Sequence, residues 1–162
     1  MSLKVVKSPE MIEYDVNTMD PSQEIVIFTA GSIEMGKAED WQSRLAEVLK
    51  DSTKDVTLLN PRRDDWDSSW VQSINNPQFN EQVTWELSNL ERCHLVVMYF
   101  VPGTISPISL MELGLFANKC VVYCPEGFER KGNVDIVCQR YNIPVYEDEN
   151  EYFEFLKGLC NK

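Results

Sequence analysis

The most chemically pointed stretch of the chain is Ser106-Pro107-Ile108-Ser109-Leu110-Met111-Glu112-Leu113-Gly114-Leu115-Phe116-Ala117. Ser106 suits a helix N-cap and Pro107 the first helical position. Beyond them every residue is apolar or small except Ser109 and Glu112. A helix apolar nearly all round is expected to be buried, and a lone carboxylate in it is costly unless paired or solvated by a site. Gly114 gives up helix propensity and would permit close backbone approach. Glu112 is therefore read as a functional carboxylate, against the plainer reading of a glutamate that reaches the helix rim and pairs with an arginine. Glu86 makes the same point more weakly. It lies three residues after Val83 and four before Leu90, on the apolar stripe of a helix expected over residues 78–91. Its plainer reading is an edge-of-stripe residue that reaches water. Two core-facing carboxylates near one end of a sheet can divide nucleophile and acid/base roles.

Three loops carry further polar groups. The run Asn60-Pro61-Arg62-Arg63-Asp64-Asp65-Trp66-Asp67 leaves the end of an apolar segment. Its two arginines can grip a phosphate in a bidentate way, or its aspartates can neutralise them in a salt-bridged loop. Gly31-Ser32 would let backbone approach a sugar or phosphate, although the stretch Gly31-Ser32-Ile33-Glu34-Met35-Gly36 matches neither a P-loop nor a dinucleotide fingerprint. The stretch from Gly127 to Asp135 mixes donors with glycines and reads equally well as a solvated turn.

Composition limits what these groups can be for. The chain has 162 residues, 26 acidic against 15 basic, and a net charge of −11. That balance argues against a nucleic-acid polymer or an anionic membrane surface as partner. It leaves room for a small anionic ligand held by a local field. Five cysteines, odd in number and without a C-x-x-C pair, read as reduced packing residues of an intracellular, cytoplasmic protein. A single histidine, His94, gives poor support to a zinc site or a Ser-His-Asp triad. No metal or cofactor is expected, and carboxylates are left to do any chemistry. The longest apolar run, seven residues from Leu95 to Val101, falls far short of the roughly 20 that span a bilayer. The opening residues lack the apolar core of a signal peptide.

The elements that must position these groups alternate along the chain. Apolar, β-rich runs at 24–30, 55–59, 94–100, 120–124 and 144–146 are separated by helical patterns near 38–49, 78–91, 107–118, 134–140 and 149–159. Such alternation predicts a three-layer α/β/α, flavodoxin-like (Rossmann-like) domain with a five-stranded parallel sheet over residues 24–162. Residues 1–23, polar and carrying Pro9 and Pro21, read as an N-terminal arm. Ligands of such sheets bind at the strands' carboxyl ends, near the topological switch point. The stretch 62–77 is too long for an idle connection. A response-regulator receiver is excluded, because the first apolar run ends in Thr29-Ala30-Gly31 and the third in Tyr99-Phe100, without the acidic residues that phosphoacceptor chemistry needs.

In this order the pieces resemble the nucleoside 2-deoxyribosyltransferase superfamily, and more closely its "nucleoside 2-deoxyribosyltransferase-like" branch. The resemblance covers about residues 24–157 and rests on four stretches. These are Gly31 to Gly36, Asn60 to Asp67, Met111-Glu112-Leu113-Gly114 and Arg130-Lys131-Gly132-Asn133. It implies that Glu112 is a nucleophile that attacks C1′ and forms a covalent glycosyl-enzyme. Glu86 falls where the family has an aspartate that contacts base or sugar. Asn133 matches an asparagine lent to the neighbouring subunit's site, which implies a homodimer or higher homo-oligomer. Gly31-Ser32 resembles a turn that lies against the nucleotide in related deoxynucleotide N-hydrolases. Arg62, Asp64, Asp65 and Ser106 complete the expected substrate-binding set. Two positions depart from the transferases, Ser106 where they carry an aspartate and Ile27 where they carry a tyrosine. The implied function is cleavage or transfer of the N-glycosidic bond of a nucleoside or nucleotide, through the logic of a retaining glycosidase. The alternative is a domain that binds or senses a nucleotide derivative without efficient turnover.

Overall fold

Runs of Val, Ile, Leu and Phe flanked by helices pair here as parallel strands, since a sheet buried on both faces needs apolar side chains on both. The computed structural model describes residues 2–34 and 37–162. The strands are β1 (Leu3–Lys7), β2 (Glu24–Gly31), β3 (Asp55–Asn60), β4 (Leu95–Tyr99), β5 (Cys120–Tyr123) and β6 (Val145–Tyr146). All pair in parallel, in the order β1-β3-β2-β4-β5-β6. The helices are α1 (Trp41–Leu49), α2 (Pro77–Arg92), α3 (Pro107–Leu115), α4 (Lys131–Arg140) and α5 (Glu149–Leu159). The chain is thus an α/β domain of the flavodoxin-like class.

The sheet has six strands rather than the expected five. Residues 3–7, read as part of the polar arm, form β1 and pair with β3 from Leu3 opposite Val56 to Lys7 opposite Asn60. Only Val6 of this strand is fully buried. Its lysines, which mask the strand in the sequence, suit an edge that must not pair with another chain. The following residues lie against α2. The Trp85 indole donates to the Glu10 carbonyl (2.7 Å), and the Tyr14 hydroxyl donates to Asn89 Oδ1 (2.9 Å).

Two cores flank the sheet. Phe28, Ala30, Val96, Met98, Phe100 and Val122 pack with Trp85, Leu90, Leu113, Val134 and Cys138 of α2, α3 and α4. Ile27, Val97, Tyr99 and Val121 point the other way, to Trp41, Leu45 and Leu49 of α1 and Tyr152, Phe153 and Leu156 of α5. Side-chain caps set the starts of three helices. Asp40, Asn76 and Asp148 accept from the amides of Ser43, Phe79 and Glu151. The five cysteines are buried and free.

Helix α3 departs from its expected burial. It buries Ser109, Glu112 and Leu113, while Ile108, Met111 and Leu115 stay more than half exposed along one outer face. Helical spacing puts those three residues on one face, on which Ile108 and Met111 border a cavity and Leu115 does not. Gly114 meets no neighbour. A methyl group there would contact nothing within 4 Å.

From β2 at the sheet's centre the chain moves first to β3 on one side, then crosses to β4 on the other. The carboxyl ends of β2 and β4 therefore form the switch point. Gly31 ends β2 there with φ of 131°, and a Cβ on it would sit 2.1 Å from the Tyr99 carbonyl oxygen. Only glycine lets the two strands close at this point.

Candidate active site

A cavity of about 670 Å³ opens at this switch point, within the range that takes a small organic ligand. Its walls come from the end of β2 (Ala30, Gly31), the start of the 61–76 loop, one face of α2 and the first two turns of α3. Phe79, Val83, Glu86 and Leu87 of α2 line it, so most of the stripe read as core-facing faces the cavity, while Leu90 lies in the core. The core side of α2 is instead Gln82, Trp85, Asn89 and Leu90. Gln82 and Asn89 can be buried because each is hydrogen-bonded. Gln82 takes the Ser8 hydroxyl and donates to the Pro61 carbonyl (3.0 Å), and Asn89 donates to the Trp85 carbonyl (3.0 Å).

Glu112 reaches the cavity from the second turn of α3 and is 5 % exposed. Among the described residues its carboxylate accepts no hydrogen bond. Burial therefore pushes its pKa from 4.5 up to about 7. Glu86 faces it across the cavity. Its pKa is raised well above the ordinary value, first by burial and then by the charge of Glu112, against a weaker opposing hydrogen bond from Gln82. Two buried carboxyls facing one cavity cannot both ionise cheaply, so the pair keeps a proton to higher pH than an ordinary carboxylate would.

What positions Glu112 is a knot of hydroxyls joining the loop after β2 to the loop after β4. Ser32 Oγ lies 2.7 Å from Ser106 Oγ and 3.0 Å from Thr104 Oγ1, and those two lie 2.9 Å apart. Ser32 Oγ also accepts from the Val101 amide (2.9 Å), and its own amide donates to the Tyr99 carbonyl (2.8 Å). Ser106 holds the N-cap position of α3 in a left-handed conformation (φ 47°), and its side chain does not cap the helix. Glu34, from the other loop, binds instead the two residues that lead into the helix. Its Oε1 accepts from the Ser106 amide (2.8 Å), the Ile105 amide (3.2 Å) and the Ser106 hydroxyl (3.4 Å). Nothing in the local pattern around Glu34 announces this role, because its partner lies 72 residues away.

The cavity thus brings Gly31, Arg62, Asp64, Glu86, Ser106 and Glu112 together, with Ser32 just behind Ser106. Asp65 and Asn133 do not line it. Asp65 pairs with Arg63 (2.7 Å), and Asn133 sits exposed on the first turn of α4. Met35 and Gly36, part of the glycine-serine stretch, lie outside the described residues. Arg63 takes the salt-bridged course, whereas Arg62 is held mainly by backbone carbonyls. The Arg62 guanidinium donates to the carbonyls of Ala38 (3.1 Å) and Glu39 (3.0 Å), while Arg63 pairs with Asp65 and Glu81 beneath the Trp70 ring. Lys131 is likewise held by Asp135 and Glu147. His94 stands apart from the cavity. Its Nδ1 accepts from the Val26 amide (2.9 Å), and burial lowers its pKa, so it is a neutral structural acceptor.

The flavodoxin-like domain thus carries, at its switch point, a small-molecule-sized cavity with two buried carboxyls of raised pKa in its wall. The chain belongs to the family described as "Nucleoside 2-deoxyribosyltransferase like", whose model matches residues 24–128. That span includes Gly31, Arg62, Glu86, Ser106 and Glu112 and stops before Asn133. No curated protein matches the chain. Among the described residues no helix is long and apolar enough to cross a membrane, and no cluster of His, Cys, Asp or Glu is arranged to hold a metal ion.

Proposed function

We propose that the protein cleaves or transfers the N-glycosidic bond of a nucleoside or nucleotide. The observation that carries this reading is the Glu86–Glu112 pair, two buried carboxyls with raised pKa facing one cavity in a chain of this family. Glu112 Oε attacks C1′ as the bond from C1′ to the base nitrogen breaks. The bonding electrons leave with the base, and Glu86 supplies the proton that neutralises it. The resulting glycosyl ester is resolved by water, which gives the free sugar, or by a second base, which gives a new nucleoside. Glu86 takes back the proton in either case. Gly31, Ser32, Arg62, Asp64 and Ser106 are the remaining substrate-side residues of this proposal, whereas Asp65 serves to hold Arg63.

Asn133 is proposed to serve the site of a neighbouring copy, which makes the active unit a homodimer or a larger homo-oligomer. The exposed Ile108, Met111 and Leu115 of α3, with Ile136 and Tyr141 of α4, offer the apolar surface for such a contact.

The test is incubation with deoxyribonucleosides, ribonucleosides and their 5′-monophosphates, with chromatography for free base and for exchanged nucleosides. Glu112→Ala should lower base release by at least a thousandfold. Equal rates in wild type and variant would remove the nucleophile. Tight binding without product would favour the alternative of a nucleotide-derivative binding or sensing domain.

A further inference from the structure

We propose that Gln82 is a positioning residue for Glu86, and that Ser8, which lies before the matched family span, fixes Gln82 in the orientation this role requires. The assignment rests on the N-glycosidic reading above and deepens it, since it names what aims the proton that Glu86 gives to the departing base. The hydrogen bonds themselves stand apart from that reading.

Gln82 stands one helical turn before Glu86 on α2, and both residues line the cavity. Gln82 is only 6 % exposed, so each polar atom of its amide needs a partner. Its Nε2 donates to the Pro61 carbonyl (3.0 Å), and its Oε1 accepts from the Ser8 hydroxyl. A carbonyl can only accept, so the Pro61 contact settles which end of the amide is nitrogen. The Ser8 hydroxyl holds the other end. Ser8 is itself pinned, with its amide donating to the Asn60 carbonyl (3.1 Å) where the pairing of β1 with β3 ends. The edge strand thus delivers a buried hydroxyl to the back of the cavity wall.

The second N–H of the Gln82 amide is left for Glu86, to which it donates. That bond has two consequences. It favours the ionised carboxylate, opposing burial and the charge of Glu112. It also makes the Glu86 oxygen beside Gln82 an acceptor. When the carboxyl is protonated, its hydrogen therefore sits on the other oxygen, which is left to serve the cavity. The other charged groups in the cavity wall are Glu112 of α3, Glu34 of the loop after β2, and Arg62, Arg63 and Asp64 of the loop after β3. Arg62 and Arg63 are engaged with Asp40, Asp65 and Glu81, and Asp64 with Lys7. None of these ion pairs includes Ser8 or Gln82, so changing either residue alters the hydrogen bond and leaves the charges in place.

The experiment follows the Glu86 carboxyl carbon by NMR through a pH titration, in a Glu112→Gln background so that the titration belongs to one group. Its signal is identified by its loss on adding Glu86→Gln. Gln82→Met keeps the length of the side chain and removes the donor. It should raise the midpoint by at least about half a pH unit, a threefold change in acidity constant. Ser8→Ala should move the midpoint the same way, and Ser8→Thr, which keeps the hydroxyl, should leave it at the original value. A merely structural role would lower the melting temperature of these variants and leave the midpoint unmoved, and that result overturns the assignment. If Gln82→Met does not fold, the contrast between Ser8→Ala and Ser8→Thr decides the question alone. A midpoint moved by Gln82→Met and untouched by Ser8→Ala removes Ser8 from the proposal. With Glu112 intact, the alkaline limb of base release should shift upward in Ser8→Ala. A shifted midpoint in a protein that releases no base would sink the glycosidic reaction and leave Gln82 in its role. An unmoved midpoint in a protein that does release base would do the reverse.

Discussion

Replacing Glu112 by glutamine should make the protein more stable in neutral and alkaline solution. The side chain is 5 % exposed and accepts no hydrogen bond among the described residues, so its charge is held only at the expense of the fold. Burial raises its pKa from 4.5 to about 7. A carboxyl whose folded value exceeds its unfolded value stabilises the fold fully below the unfolded one, and the contribution disappears as pH climbs through the folded one. At ~1.4 kcal/mol for each tenfold change in acidity constant, that interval corresponds to about 3 kcal/mol lost above pH 7. The amide and the protonated carboxyl have nearly the same shape and polarity. Wild type and Glu112→Gln should therefore be about equally stable near pH 4.5 and separate above it, with the variant higher. For a domain of this size the separation corresponds to roughly 6–12 °C in Tm. Urea titrations and calorimetric melts of both proteins across that pH range read it directly. Parallel pH profiles, or a variant that falls below wild type at high pH, would refute the claim that Glu112 is an unpaired buried charge. A gain in stability coupled to a loss of activity is the signature of a residue kept for chemistry.

The pH–rate profile should be bell-shaped. Its acid limb rises through about pH 7 as Glu112 ionises, its alkaline limb falls as Glu86 gives up its proton, and Glu86→Gln should abolish that second limb. Gly31→Ala should cost more than ~4 kcal/mol or prevent folding, since its methyl group would meet the Tyr99 carbonyl at 2.1 Å. Gly114→Ala, which meets nothing, should stabilise α3 by about 1 kcal/mol, and thermal melts compare the two. Leu115→Asp with Ile136→Glu, outside the cavity, should yield monomers in sedimentation, together with lost activity if Asn133 completes the neighbouring site.

Much of this architecture is written locally. The apolar runs of β2 to β6 and the stripes of the helices follow from spacing, which is why the layer order, the switch point and Glu112 on its apolar helix could be read without coordinates. Glu86 was legible for the same reason, as a carboxylate on a stripe. The misreadings share one origin. The stripe Phe79–Val83–Leu87 and the outer face of α3 are apolar without being core, and hydrophobic spacing cannot distinguish a core from a cavity wall or an uncovered face. β1 escaped notice because Lys4 and Lys7 break its pattern, and only pairing with β3 makes it a strand.

By itself, then, the order of residues determined strands β2 to β6, their flanking helices and the two acidic side chains that meet at the cavity. Tertiary structure alone decided how their charges are used. It placed Glu86 where Glu112 raises its pKa, tied Arg62 and Arg63 to their own loops, and set Glu34 on the amides of Ile105 and Ser106. The reason is range. Helical and strand spacing act over a few residues and can be read from side-chain type, whereas hydrogen bonds and charge coupling depend on distances of a few ångströms between groups many residues apart, which only the packed chain defines.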